Sequence, residues 1–141
     1  MELTRRNALA LGGAAIAVSL VPVRAAFAAS ELSMADIKAF AGDAIIAEGG
    51  IELTTPEIAE NGNTVPVEFS APGAKRVIIL ADGNPNPGVA TFHFSELAEP
   101  MGSTRIRLAT TQDVIAVAEL ADGTYTQVAK SVKVTIGGCG G

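Results

Sequence analysis

The 141-residue sequence predicts an all-β chain: an antiparallel β-sandwich with a short N-terminal helix and a flexible, glycine-rich C-terminal arm. Three observations predict it. Apolar residues make up 48% of the chain and aromatics only 4%, so the core rests on Val, Ile, Leu and Ala, a balance that favours strands. From residue 65 onward, short runs with period-two alternation recur at spacings of about ten residues. One window alone, near the N-terminus, has a helical period.

The first element is a leader. "MELTRRNALALGGAAIAVSLVPVRAAFAAS" has a basic start at Arg5 and Arg6, an apolar stretch from Ala8 to Val21, and small residues at Ala26 and Ala28 that fit an A-x-A cleavage site. Residues 1–28 therefore read as an export signal cut after Ala28, with adjacent arginines of the twin-arginine type, although the usual aromatic is replaced by Ala8. The alternative is an uncleaved anchor. The Ala8–Val21 stretch is broken by Gly12 and Gly13 and is short beside the roughly 20 residues of a spanning helix. The expected location is the periplasm, with no membrane attachment after the signal is removed.

"LSMADIKAFAGD" predicts the helix. Ser33 serves as N-cap with Asp36 three residues on, and Met34, Ile37, Phe40 and Ala41 share one apolar face. Pro56 and the Glu60–Asn63 stretch "ENGN" are turn material. "TVPVEFSA" alternates Val65, Val67 and Phe69 against polar neighbours, and Pro66 places it at an edge or a strand start. "RVIILA", Arg76 to Ala81, is a continuous β-branched run, as expected of a more deeply buried strand. "DGNPNPG" is a loop stiffened by Pro85 and Pro87.

Four segments complete the series. "VATFHFS" sets Ala90, Phe92 and Phe94 on one side, and "STRIRLAT" sets Ile106 and Leu108 opposite Arg105 and Arg107. "DVIAVAEL" ends at the Ala121–Gly123 turn, and Tyr125 to Ile136 is a last long strand. Six or seven strands joined by short loops suit an immunoglobulin-like sandwich over residues 29–136, without the Cys…Trp…Cys core of antibody domains, since the chain has one Cys and no Trp.

Charge excludes one class of partner. The whole chain carries a net charge of −5, and removing the leader takes away Arg5, Arg6 and Arg24 but only one acid, Glu2, leaving the remainder more acidic still. Such a body repels phosphate backbones, so no nucleic-acid partner is expected. Lys75, Arg76, Arg105 and Arg107 read as solvated faces beside strands.

Little catalytic chemistry is on offer. One His and one Cys cannot supply the three or four soft ligands of a zinc or iron–sulfur site, so no metal and no cofactor is expected. His93 alternates with Phe92 and Phe94 and faces solvent. No nucleophile elbow or phosphate loop is present, and no catalytic residue is assigned.

Cys139 is the exception. Exported proteins normally pair their cysteines, and an odd one implies an inter-chain disulfide, hence a Cys139-linked dimer, or a reactive thiol. It sits between Gly137, Gly138, Gly140 and Gly141, so residues 137–141, "GGCGG", read as an arm thin enough to insert a sulfur atom into a narrow channel of another protein. A frayed tail with an incidental cysteine is the plain alternative. A thiocarboxylate carrier of ubiquitin-like fold, which also ends in Gly-Gly, needs ATP for activation and would not need Cys139.

The leader, "IAENGNTVPV", "GNPNPGVATFHF", "STRIRLATTQDVIAVAELADG" and above all "GGCGG" resemble the SoxY family, the sulfur-carrier subunits of the bacterial thiosulfate-oxidising (Sox) system. The resemblance implies a carrier that is not an enzyme, with Cys139 holding S-thiosulfonate and persulfide intermediates covalently. It implies a heterodimer with a SoxZ-type subunit, for which the loop near Pro85 and Pro87 is the expected contact. It also implies three serving partners: a SoxXA-type haem c protein, a SoxB-type sulfohydrolase and, where present, a SoxCD-type dehydrogenase. The alternative function is a structural or adhesion β-sandwich whose terminal cysteine forms an inter-chain disulfide.

Overall fold

The computed structural model describes residues 28–136. The leader up to residue 27 and the whole of the proposed arm, Gly137, Gly138, Cys139, Gly140 and Gly141, lie outside the described residues.

A helix, α1 (Glu31–Ala41), precedes nine strands: β1 (Ile46–Glu48), β2 (Glu52–Thr54), β3 (Ile58–Ala59), β4 (Val65–Ser70), β5 (Ala74–Ala81), β6 (Gly88–His93), β7 (Met101–Ile106), β8 (Gln112–Leu120) and β9 (Tyr125–Val134). The larger sheet runs β1-β9-β8-β5-β6, with β3 also on β9, and the smaller runs β2-β4-β7. Their facing sides bury Val65, Val67, Phe69, Val77, Ile79, Leu108, Val114 and Val132. This is the immunoglobulin-like β-sandwich that the alternating runs predict.

The sequence missed three strands. β1, β2 and β3 span only three, three and two residues, too short to show a period. They also depart from the antiparallel expectation, because β1 pairs parallel with the start of β9 (Ile46 opposite Tyr125) and β3 parallel with its end (Ile58 opposite Lys133). Between them the chain crosses to the smaller sheet, where β2 pairs antiparallel with β4.

Helix α1 explains why β5 and β8 read as unbroken apolar runs. Val77 and Ile79 face the other sheet, while Ile78, Leu80, Ile115 and Val117 face outward and are covered by Ile37, Phe40 and Ala41 of the helix. The helix starts earlier than its sequence suggests. Its N-cap is Ser30, whose hydroxyl accepts the Ser33 amide hydrogen at 3.2 Å, and Ser33 itself is fully buried inside the helix. Met34, expected on the apolar face, is 53% exposed, because the helix rests on Ile37 and Phe40 instead.

Pro66 occupies the middle strand of the smaller sheet and still obeys the edge rule. β2 reaches only Glu68 to Ser70, so at Pro66 the strand has one hydrogen-bonded neighbour, β7. Arg76 is a correction to the reading of solvated charge. It and Lys75 both pair with Glu119, which is buried, and Arg76 also donates to the Phe40 carbonyl at 3.2 Å.

Candidate functional site

Because Cys139 lies outside the described residues, the part of the site that can be built is its root, where β9 hands the chain on. β8 and β9 run antiparallel with Gln112 opposite Val132, so the end of β9 shares a pole of the sandwich with the 82–87 loop after β5 and the 107–111 loop before β8. The segment from Glu57 to Thr64 arrives at the same pole by way of β3. Ser30 meets it as well, its N–H donating to Asp82 Oδ1 at 2.7 Å.

The root is held on both sides. On one, the Lys133 N–H donates to the Glu57 carbonyl at 2.9 Å and the Thr135 N–H to the Ala59 carbonyl at 3.1 Å. The Gly62 N–H then donates to the Ile136 carbonyl at 2.9 Å, one residue before the first glycine of "GGCGG". On the other, the Thr111 hydroxyl accepts the Val134 amide hydrogen at 2.9 Å.

Beneath these contacts sits a polar node. Asn84 donates to the Arg107 carbonyl at 2.7 Å, and its Oδ1 accepts from the Ala109 N–H and from Gln112 Nε2, both at 2.9 Å. Gln112, almost buried, accepts the Gly83 N–H at 2.8 Å and donates to the Thr110 carbonyl at 3.0 Å. A Cβ at Gly83 would stand 2.9 Å from Gln112 Cβ, so the node needs glycine there. Leu108, fully buried, donates its N–H to the Gly62 carbonyl at 2.7 Å and so connects the node to the root. None of Gly62, Asn84, Thr111 or Gln112 carried a signal in the sequence beyond turn-forming composition.

Asp82 belongs to the same pole. Burial pushes its carboxyl up, but hydrogen bonds from Ser33 and from the Ser30 amide and hydroxyl together outweigh this and hold it below its ordinary value of 3.8. Pro85 is exposed here, whereas Pro87 is buried and its carbonyl accepts the Ala81 N–H at 2.8 Å. His93 faces solvent on β6, as its alternation predicts, and Arg105 and Arg107 are exposed. Among the described residues no group of three His, Cys, Asp or Glu side chains is placed to hold a metal ion. No helix among them is long and apolar enough to cross a membrane.

The family model for the sulfur oxidation protein SoxY matches residues 37–139, from the buried face of α1 through both sheets and the pole to the cysteine itself. The chain belongs to the SoxY family. It is similar to a solved structure, the sulfur carrier protein SoxY from Chlorobium limicola f thiosulfatophilum, with 36% identity and a TM-score of 0.67, covering 74% of this chain and 96% of that one. The superoxide reductase (neelaredoxin) from Ignicoccus hospitalis shares the fold alone, at 18% identity and a TM-score of 0.54 over 61% of this chain and 80% of that one. No curated protein sequence matches the chain. Against the SoxY family match, the leader stands apart, since the matched span begins at residue 37 inside α1.

Proposed function

We propose that this SoxY-family chain is a sulfur carrier and not an enzyme, holding thiosulfate-derived intermediates on Cys139 while partner enzymes act on them. The observation that carries the reading is the root. β9 is hydrogen-bonded up to the carbonyl of Ile136, and the chain's one thiol follows three residues later, inside the span matched by the family. A thiol so tethered is bound to the sandwich at one end and able to serve more than one partner at the other.

The sulfur–sulfur bond to the cargo can be formed and later cut, which leaves the arm reusable. A SoxXA-type haem c protein joins the thiol to thiosulfate, forming a sulfur–sulfur bond with release of one proton and transfer of two electrons to the haem partner. The product is a cysteine S-thiosulfonate. A SoxB-type hydrolase adds water across the terminal S–S bond, releasing sulfate and one proton and leaving a persulfide, Cys–S–SH. A SoxCD-type dehydrogenase, where present, oxidises the remaining sulfane sulfur. An ordinary thiol has a pKa of about 8.5 and is only a few per cent thiolate near neutral pH, so activation falls to the partner's site.

Residues 1–28 act as the export signal, 29–136 as the sandwich and 137–141 as the arm, in a periplasmic heterodimer with a SoxZ-type subunit. Ala29 packing against the helix core and Ser30 capping α1 support a domain that begins directly after the proposed cut at Ala28. The test is mass spectrometry of the exported protein from cells oxidising thiosulfate. Reducible adducts on the peptide containing Cys139, with loss of thiosulfate oxidation in Cys139→Ser, are expected. A uniformly bare thiol, or a Cys139→Ser variant that changes only the covalent dimer on non-reducing gels, overturns the proposal.

A further inference from the structure

We propose that the pole beneath the arm is a positioning platform: the Asn84–Gln112 node, acting through Thr111 and Leu108–Gly62, fixes where the arm leaves the sandwich and so where Cys139 is delivered. The inference rests on the carrier reading. What it adds is a role for residues that touch neither substrate nor thiol.

The connections run in two lines from one node. Asn84 and Gln112 hold the backbone of Arg107, Ala109 and Thr110. From that loop, the Thr111 hydroxyl takes the Val134 amide hydrogen at 2.9 Å and faces the Val134 carbonyl at 3.4 Å. From the same loop, Leu108 fixes Gly62, and Gly62 fixes the Ile136 carbonyl. Both lines end within two residues of each other, immediately before Gly137. A strand end needs only its ladder to be stable, and the ladder of β8 and β9 stops at Gln112 and Val132. On its other edge β9 is paired with β3 as far as Val134, and the Thr135 N–H completes that pairing on the Ala59 carbonyl. The bonds beyond both ladders are those of the Thr111 hydroxyl to Val134 and of the Gly62 N–H to the Ile136 carbonyl, which carry the fixed part of the chain to the residue before Gly137.

The consequence is geometric. With the origin fixed at Ile136, a three-residue tether has a maximum reach on the order of 10 Å. If residues 134–136 peel away, the tether doubles from three residues to six. The local concentration of the thiol at a docked partner's site falls roughly as the −3/2 power of tether length, or about threefold. Binding of the thiol in the partner's channel and the chemical step that follows are untouched.

The experiment uses the full exported chain in complex with its SoxZ-type subunit. In Thr111→Val, which keeps the shape of the side chain and removes its hydrogen bonds, amide exchange at Val134 should accelerate at least tenfold. The KM for the carrier in thiosulfate-dependent turnover with SoxXA- and SoxB-type partners should rise at unchanged kcat, by up to the roughly threefold of a fully peeled 134–136 segment, since the Gly62–Ile136 and Thr135–Ala59 bonds remain. Alkylation of Cys139 by iodoacetamide should stay within twofold of wild type, and Thr111→Ser should restore both exchange and KM. Asn84→Ala, more distant from the arm, should raise KM in the same direction and guards against a local folding defect in the first variant. A freed Val134 amide with unchanged KM, an unchanged amide, or a changed alkylation rate overturns the platform. Cys139→Ser run in parallel separates the two ideas, because retained turnover in that variant sinks the carrier reading as well, whereas lost turnover with an indifferent Thr111→Val sinks the platform alone.

Discussion

The Arg76 guanidinium lies 4.4 Å from the centre of the Phe40 ring, and the same side chain pairs with Glu119 and donates to the Phe40 carbonyl. One residue of β5 thereby grips the C-terminal turn of α1 by its ring and by its backbone. Positive charge at that end of a helix is favourable, because the last carbonyls carry partial negative charge. Phe40 is braced from the other side by Tyr125, edge-on at 6.1 Å.

Breaking this grip should loosen the helix before it loosens the sandwich. Glu119→Gln leaves the half-exposed Lys75 and the partly exposed Arg76 without the carboxylate they share and should cost about 1 kcal/mol in urea unfolding near neutral pH. The Lys75 ammonium, and then the Arg76 guanidinium, hold the Glu119 carboxyl below its ordinary value of 4.5 against the opposing effect of burial. A carboxyl whose folded value is lowered stabilises the fold above its unfolded value and loses that contribution as pH falls through the folded one. The gap between wild type and Glu119→Gln should therefore shrink as pH falls from the ordinary value of 4.5 down through the lowered folded one, where the wild type gives up its own charge.

Ser30→Ala should cost about 1 kcal/mol, the usual worth of an N-cap hydroxyl. Here the hydroxyl accepts from Ser33 and also donates to the Asp82 carbonyl, so the loss should appear both as helix fraying by amide exchange and as a higher Asp82 pKa by NMR titration. The sign follows from the same linkage: Asp82 is held low by Ser33 and Ser30, so removing a donor raises it toward 3.8 and reduces the stability lost on acidification.

How far the sequence discloses this molecule can be judged residue by residue. The strands that carry the core were legible because alternation such as Val65, Val67, Phe69 extends over six residues or more, and the deeper burial of Arg76–Ala81 was legible as an unbroken run, though not that α1 covers its second face. β3 was not, since two residues have no period, and its pairing with β9 is a contact between positions 75 apart. The N-cap was displaced by three because Ser30 and Ser33 offer the same hydroxyl, and only Asp82, 52 residues away, decides between them. Cys139 stands out in the sequence as the chain's one cysteine, and it lies outside the described residues. The node was not legible, because Asn84 in "GNPNPG" has the composition of any turn and its partner Gln112 is 28 positions on.

Gly102→Ala should destabilise the smaller sheet by about 1–3 kcal/mol. Gly102 stands opposite Phe69 in the β4–β7 pair, and an added Cβ would come within 2.7 Å of the Phe69 ring. The ring cannot swing freely, since Phe92 lies 4.9 Å and Phe94 6.2 Å from it, centre to centre. A lowered midpoint in thermal unfolding checks the prediction, and a compensating Phe69→Leu in the same chain should recover part of the loss.

The proposed carrier role of Cys139 gives the last prediction, through the length of the 137–141 segment. With the chain fixed as far as the Ile136 carbonyl, the reach of Cys139 is set by Gly137 and Gly138 alone, and each added residue extends it by at most about 3.5 Å. Inserting Gly-Ser after Gly138 takes the tether from three residues to five. By the −3/2 power dependence on length, the effective thiol concentration at a partner's site should fall about twofold, and delivery with it. Deleting Gly138 acts differently. It shortens the reach by one residue, and where the partner's reactive group sits at the end of a channel, a short arm does not arrive, so turnover should fall far more steeply than for the insertion. The measurement is thiosulfate-dependent turnover across this length series, with iodoacetamide alkylation of Cys139 as the control for thiol access. A steep loss on shortening and a shallow one on lengthening is the signature of a tether; equal losses in both directions would mean that the glycines themselves, and not the distance they span, are what the partner reads.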